Sequence, residues 1–519
     1  MKLKSIMGLA IAGVASTAAL ALPPAQWQPG RAPVLNVYYG GATATDNVLE
    51  NLFLIPGAGI CQPGTIDIYR VTVSNRNNRV IFCSARAGIA GIAVNTPIAF
   101  HKESIGGSSN GTVPLARQQP LAFFNMGVAG TCTNQGLQTP GGLNSYTQWS
   151  CPDNTVNFVP DGGITDTEAN LSSPRLSASE IATLQQTRGL GIVFGVPVSR
   201  NLYRALQAAQ GLAQDDSPTN VPSLTRSQIR GLYQGSLTDW AQITNAAGVG
   251  LPSVLGVSAP RNAARAGNPI DSSVFVCRRV ASSGTQASYE SYWLQQRCGA
   301  SSSSTSPPPF SAPDDGSTDT VGRPANANWD GSGPGAVGGF VNGSESSGDV
   351  RNCFSYHVTN GTWAIGTLST EVSLSNVGGG GVGNGGFRMV RVDGALPNLA
   401  SVANGDYDFF TENVTTRRIV APTPPASVLP ILNFIGTNLG SPAVLSLINV
   451  PFQGRPWGDG GVLAIPFGAN VPNAPPAIDG AAGAGTMRAN PVNTQSRSTV
   501  NDTVNNCNPP IMVNPSPVP

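Results

Sequence analysis

The segment Arg279-Val280-Ala281-Ser282-Ser283-Gly284-Thr285 leaves an apolar run ending at Cys277 and enters a stretch of helical spacing that continues to Arg297. Backbone N–H groups at a helix start lack intrahelical partners and lie at the positive end of the helix dipole, so they receive anions. Ser283 and Thr285 add hydroxyl donors, Gly284 allows close approach to the backbone, and Arg279 adds a planar charged fork. A Ser-Gly-Thr of this kind is also a serviceable N-cap, and most such caps hold no ligand. Taken alone, Thr165-Asp166-Thr167-Glu168 reads more readily as a helix cap or a surface acid.

Other motifs carry less. Gly107-Ser108-Ser109-Asn110-Gly111 matches the G-x-S-x-G elbow of a nucleophilic serine, with His101 or His357 as the available base. That elbow needs a helix directly after the serine, whereas Thr112-Val113-Pro114 follows, so a glycine-rich loop is expected and no enzyme. Gly381-Val382-Gly383-Asn384-Gly385-Gly386 matches G-x-G-x-x-G, but the β-like run Phe387 to Val392 comes next. A dinucleotide loop must open a helix, so no cofactor is expected. The eight cysteines form no C-x-x-C pair, and only two histidines could complete a metal site, so no metal is expected either. Four disulfides are the expectation instead, among 105 formal connectivities. Joining sequence neighbours gives Cys61–Cys83, Cys132–Cys151 and Cys277–Cys298, with a long-range Cys353–Cys507 that would pin the tail.

These residues need an α/β frame. Val34 to Tyr39, Arg79 to Cys83, Gly191 to Val196 and Ser273 to Cys277 read as strands. Thr225 and Gln228 form a capping box ahead of Ile229, Leu232 and Tyr233, and Gly235 ends that short helix. In 284–297, Tyr289 and Trp293 stand four apart on one helical face. The Ser/Gly/Pro-rich stretch 300–348 reads as a long surface excursion, and 508–519 as a tail.

The whole chain narrows the functional classes. It has 519 residues, 62 of them glycine and 43 proline, with 40% hydrophobic and only 11% charged residues. That is too apolar for a disordered chain and too broken for a long-helix protein. A net charge of +1 leaves no basic surplus for a phosphate backbone, so nucleic acid is not an expected partner. Lys2 and Lys4, an apolar stretch from Ile6 to Leu20 and Ala19-Leu20-Ala21 read as a signal peptide over residues 1–21. The expectation is a soluble, monomeric, periplasmic or secreted protein with no membrane span once the signal is cleaved, in keeping with its cysteines.

Five pieces occur in one order: Gly41-Ala42-Thr43, Ser104-Ile105-Gly106-Gly107, Asp161 to Asp166, the stretch 224–240 (LTRSQIRGLYQGSLTDW), and Arg279 with Ser283-Gly284-Thr285. Together they resemble the phosphate-binding proteins of ABC-type phosphate uptake, in the type II periplasmic binding protein superfamily. The resemblance covers roughly 34–300, with a fainter likeness at 346–371. It implies a two-lobed α/β fold with mixed sheets, an inter-lobe cleft and long loop insertions. Lobe one would hold 30–195 plus 404–519 and lobe two 196–403, with crossovers near Gly195-Val196-Pro197 and Asp406-Tyr407. It further implies non-catalytic capture of inorganic phosphate by Thr43, Ala44, Ser104, Asp166, Arg279, Ser283, Gly284 and Thr285, with an ABC permease as partner. Phosphate near neutral pH keeps a proton from which Asp166 can accept a hydrogen bond, whereas sulfate offers none. Ala44 stands where the family commonly has Phe, and long insertions holding Cys61, Cys83, Cys132 and Cys151 separate the motifs. The alternative is a secreted structural or interaction protein that keeps the fold without the ligand.

Overall fold

The computed structural model describes residues 34–71, 78–263, 267–298, 339–344, 346–372, 374, 386–466, 491–498 and 504–513. The signal segment 1–21, most of the excursion 300–348 and all of the Gly381–Gly386 motif except Gly386 lie outside the described residues.

Apolar and β-branched runs assemble into a 16-stranded mixed sheet. Its main path runs Gly339–Ser344, Val274–Arg279, Ala364–Gly366, Leu184–Ser199, Phe410–Arg418, Gly162–Thr165, Leu35–Gly41, Pro97–Glu103, Arg79–Ser84, Asp67–Val71, Tyr146–Cys151 and Thr133–Gln138. Two parallel groups sit within it. Gly162–Thr165, Leu35–Gly41 and Pro97–Glu103 form one, and Gly339–Ser344, Val274–Arg279 and Ala364–Gly366 form the other.

The long strand Leu184–Ser199 ties the groups together. Its first part pairs antiparallel with Phe410–Arg418, and Val196 to Ser199 pair instead with Phe387–Val392. Ile192, Val193, Phe194, Val196 and Val198 are wholly buried, as a strand covered on both faces requires. The chain passes between the groups a second time beside it. Phe194 N–H donates to Phe409 O at 3.0 Å, and the Tyr407 hydroxyl donates to Phe194 O at 2.8 Å.

Local signals hold at several helices. Thr225 accepts from Gln228 N–H at 3.1 Å in a full capping box, and Arg226–Gln234 ends at left-handed Gly235. In helix Gly284–Trp293, Tyr289 and Trp293 are both buried, as their spacing implies. That helix stops short of Arg297, because Gln295 and Arg297 take left-handed backbone angles incompatible with a further turn. After the G-x-S-x-G loop a helix does form, Val113–Arg117, with Pro114 in the first turn, where no N–H partner is needed. The excursion 300–348 is not all surface loop, since Gly339–Ser344 pairs parallel to Val274–Arg279. Its sequence, GFVNGS, is too short and too polar to announce a strand.

Cys61–Cys83 and Cys132–Cys151 are joined as expected. The other two pairings differ: Cys277 bonds Cys353 and Cys298 bonds Cys507. Helix Gly284–Trp293 explains the exchange, for ten helical residues carry the chain about 15 Å away from the strand end before Cys298. Cys277 faces helix Ser347–Asn360 instead, and the tail is pinned through Cys298. Among the described residues no single helix is long and apolar enough to cross a membrane.

Candidate functional site

Ligands of α/β sheets settle outside the carboxyl ends of parallel strands, and both parallel groups end in polar residues here. In the first group, Thr43 lies in the turn after Leu35–Gly41, Ser104 follows Pro97–Glu103, and Asp166 follows Gly162–Thr165. At Gly41 the backbone is left-handed and any Cβ would collide with the Ile164 carbonyl, so glycine is required for the turn toward Thr43. In the second group, Arg279 ends its strand, Ser283 to Thr285 enter helix Gly284–Trp293, and Ser347 opens helix Ser347–Asn360 after Gly339–Ser344.

The two sets of strand ends meet. Arg279 Nη1 donates to Thr43 Oγ1 at 2.8 Å, and its Nε donates to Ser344 O at 3.0 Å. Ser347 Oγ lies 3.5 Å from the same Nη1 and 3.4 Å from Thr43 Oγ1. On the other side, Thr285 Oγ1 donates to Asp166 Oδ2 at 3.3 Å, and Asp166 N–H donates to Ser108 Oγ at 3.0 Å. A backbone bond from Ser109 N–H to Ser282 O, 2.9 Å, joins the two loops directly. Glycine permits this approach: a Cβ on Gly107 would fall 2.7 Å from Ser283 Cα, and one on Gly284 2.6 Å from Asp166 Cβ.

The electrostatics set this carboxylate apart. Asp166 is 1% exposed, and burial pushes its pKa up to about 6 against the attraction of Arg279, Ser108, Thr285 and Lys102. Its Oδ1 is buried without a hydrogen-bond partner, and so is the Ser283 hydroxyl oxygen. A buried acceptor and a buried hydroxyl are thus left unsatisfied beside Thr285 and within the field of Arg279, whose guanidinium reaches Thr43 and Ser347. Such an arrangement suits a small, partly protonated oxyanion, which brings acceptors for the donors and one proton for the carboxylate.

Six of the eight expected residues, Thr43, Asp166, Arg279, Ser283, Gly284 and Thr285, therefore lie together. Ala44 is fully buried in the Thr43–Thr45 turn and has only its backbone to offer. Ser104 is near by sequence but engaged elsewhere: it accepts from Lys102 Nζ at 2.8 Å and donates to Asp46 Oδ1 at 2.7 Å. Asp46 also pairs with Lys102 and Arg79, and Glu50 pairs with Arg79 and Arg70, so Ser104 belongs to a buried ionic network. Asp166 is neither a helix cap nor a surface acid, since the turn Ala169–Leu171 starts beyond Glu168.

Sequence reasoning missed Ser108, Lys102 and Ser347. The signal for Ser347 was the S-x-x-D spacing of Ser346 and Asp349, a capping box formed at the helix start. The hydrolase elements do not come together: Ser109 Oγ accepts from Ser173 N–H, His101 Nε2 bonds Asn36 Oδ1 at 3.1 Å, and His357 Nδ1 bonds Thr362 Oγ1 at 2.7 Å. Burial draws both histidines down to a pKa of about 3.

No protein-family model matches the chain, and no curated protein matches it. Solved structures do show similarity. One is assigned as a phosphate ABC transporter substrate-binding protein, with bound phosphate, from Clostridium perfringens. It is 14% identical, covers 78% of this chain and 96% of its own, and has a TM-score of 0.36. PstS from Borrelia burgdorferi is 12% identical over 80% of this chain and 97% of its own, with a TM-score of 0.31. An ABC-type phosphate transport receptor from Vibrio cholerae is 17% identical over 54% and 75%, with a TM-score of 0.28. These likenesses are distant and concern the fold alone.

Proposed function

We propose that this protein captures inorganic phosphate between the two sets of strand ends, without catalysis. Asp166 carries the reading: its buried Oδ1 lacks a hydrogen-bond partner, while its Oδ2 accepts from Thr285 and its charge is attracted by Arg279, both from the other parallel group. In this reading Asp166 accepts a hydrogen bond from the protonated oxygen of hydrogen phosphate, while Arg279, Thr43, Ser283, Thr285 and the Gly284 backbone donate to the remaining oxygens. A fully ionised oxyanion such as sulfate has no proton for Asp166 and leaves two acceptors facing each other, which is costly in a buried site. Four disulfides suit a chain that folds outside the reducing cytoplasm, consistent with solute capture in the periplasm or beyond and hand-over to a permease.

Equilibrium dialysis against labelled phosphate tests this directly. Phosphate is expected to be retained, and a large excess of sulfate should leave it in place. If the folded protein retains no phosphate, the scaffold reading replaces this one.

A further inference from the structure

The described part of the C-terminal tail connects the two sets of binding residues by a separate route. Cys298 lies five residues beyond helix Gly284–Trp293, whose start carries Thr285, and it is bonded to Cys507. Beside Cys507, Asn506 N–H donates to Glu168 Oε1 at 2.9 Å, and the Asn506 amide donates to Glu168 Oε2 at 2.5 Å and to Glu412 O at 3.0 Å. Glu168 stands two residues past Asp166. The chain from Asp166 to Glu168, the tail residues 506–507 and the helix back to Thr285 therefore form a ring that encloses the Asp166–Thr285 contact. Arg297 braces the same ring through Leu171 O, 3.1 Å, and Ala281 O, 2.8 Å.

This ring lies where the chain passes between the two groups. Arg497 donates to Asp408 O at 2.8 Å and to Phe410 O at 2.9 Å, and its guanidinium stacks on Tyr292, which itself stacks on Phe409. On the opposite side of the site Thr43 is held to Arg279 and Ser347 by side-chain hydrogen bonds, and the Cys277–Cys353 disulfide beside them ties only the strand of Arg279 to the helix of Ser347, within one group.

We propose that Cys298–Cys507 makes the tail a third, reducible strap beside the two chain crossovers, so that the site opens on its Thr43–Ser347 side. Arg279, Asp166, Ser283 and Thr285 are each 1% exposed, so a ligand enters only when the two sets separate. The strap sets how far and how fast they do so. It is also the disulfide a reductant reaches first, because Cys298 is exposed and Cys507 half-buried, whereas Cys132 is only half-buried with Cys151 at 2% exposed, and Cys61, Cys83, Cys277 and Cys353 are at most 1% exposed. A dithiol reduces it in two exchanges. One thiolate attacks a sulfur to give a mixed disulfide, then the second displaces the protein thiolate and closes the reductant's own disulfide. Two electrons and two protons pass to Cys298 and Cys507 as thiols. The hydrogen bonds of Asn506, Ser496 and Ser498 to Glu168 and Glu412 stay in place, so the tail remains docked without a covalent tie.

The test uses the full folded chain, briefly treated with dithiothreitol and alkylated, with mass spectrometry to confirm modification at residues 298 and 507. Two rates are then followed: release of labelled phosphate, which rests on the proposed function, and amide hydrogen exchange of segments 104–109 and 280–285, which does not. Both are expected to rise several-fold on reduction, and a Cys298→Ser/Cys507→Ser variant should reproduce the rise. Unchanged exchange after confirmed modification, or prior alkylation at residues 132 and 151 or 277 and 353, overturns the strap. Should the untreated protein release no phosphate because it binds none, the ligand reading falls while the exchange rates still decide the strap.

Discussion

Replacing Asp166 with Asn should make the ligand-free protein more stable at pH 7.5 while eroding its preference for phosphate. Burial lifts this carboxyl from 3.8 to about 6 even though Arg279, Ser108 and Thr285 favour its charge. A rise of roughly two units means that the ionised group opposes folding by about 3 kcal/mol, at about 1.4 kcal/mol per unit. Asparagine keeps the shape and the acceptor for Thr285 but has no charge to desolvate, so about 2–3 kcal/mol should return. For a chain of this length, with an unfolding entropy near roughly 1 kcal/mol/K, that is a gain of about 2–3 °C in Tm. The gain is fully present above the folded pKa and fades as pH falls from about 6 toward 3.8, since the wild-type group is then neutral in the folded state. Scanning calorimetry of both proteins at pH 7.5 and pH 5 should show the difference shrinking to about half at the lower value. Dialysis should show phosphate-over-sulfate selectivity falling about 10- to 100-fold, the worth of one hydrogen bond to a charged group. A variant less stable than wild type at pH 7.5, or a stability difference indifferent to pH, would refute the reasoning.

Gly284→Ala places a Cβ 2.6 Å from that of Asp166, and should weaken phosphate retention by about tenfold or more through overpacking; unchanged retention in dialysis would show that these loops part in the bound state. Ser104→Ala should act on stability, costing about 1–3 kcal/mol in urea titration, because Lys102 and Asp46 lose a shared partner in a buried network. A selective loss of phosphate affinity at unaltered stability would return Ser104 to the ligand. Between pH 8 and 6.5 the whole protein should become more stable on acidification, as followed by calorimetry. Burial raises Glu168 and Glu371 to about 7 and Asp67 and Asp161 to about 6, so the folded state takes up protons that the unfolded state does not. His101 and His357, held near 3, stay neutral in the folded state and offset part of this gain as the unfolded histidines begin to protonate on approach to about 6.5. A loss of stability over that window would contradict the burial of these carboxylates.

What was legible and what was not divides along the reach of the physics involved. Thr43 and Asp166 came only with the resemblance, Asp166 by itself reading as a cap. Arg279 and Ser283 to Thr285 were legible from their own residues, because a strand running into a helix start leaves a local mark that needs no knowledge of the partner. The disulfides were half legible for the same reason. Cys61–Cys83 and Cys132–Cys151 span 22 and 19 residues, whereas the true partner of Cys277 depends on where a ten-residue helix carries Cys298 and which helix then covers the strand. Strand Gly339–Ser344 was hidden because edge position, and not composition, makes it a strand. Ser104 is the sharpest case. Its place after a parallel strand is the same as that of Asp166, yet Asp46 and Lys102 claim its hydroxyl, since two buried charges need a shared neighbour more than a ligand needs one further donor. Ser347, from a helix more than 60 residues beyond Arg279, stands beside Thr43 and Arg279 in its stead. A strand end dictates where a polar side chain sits, while the charges that fold in around it decide whether that side chain is left for a ligand.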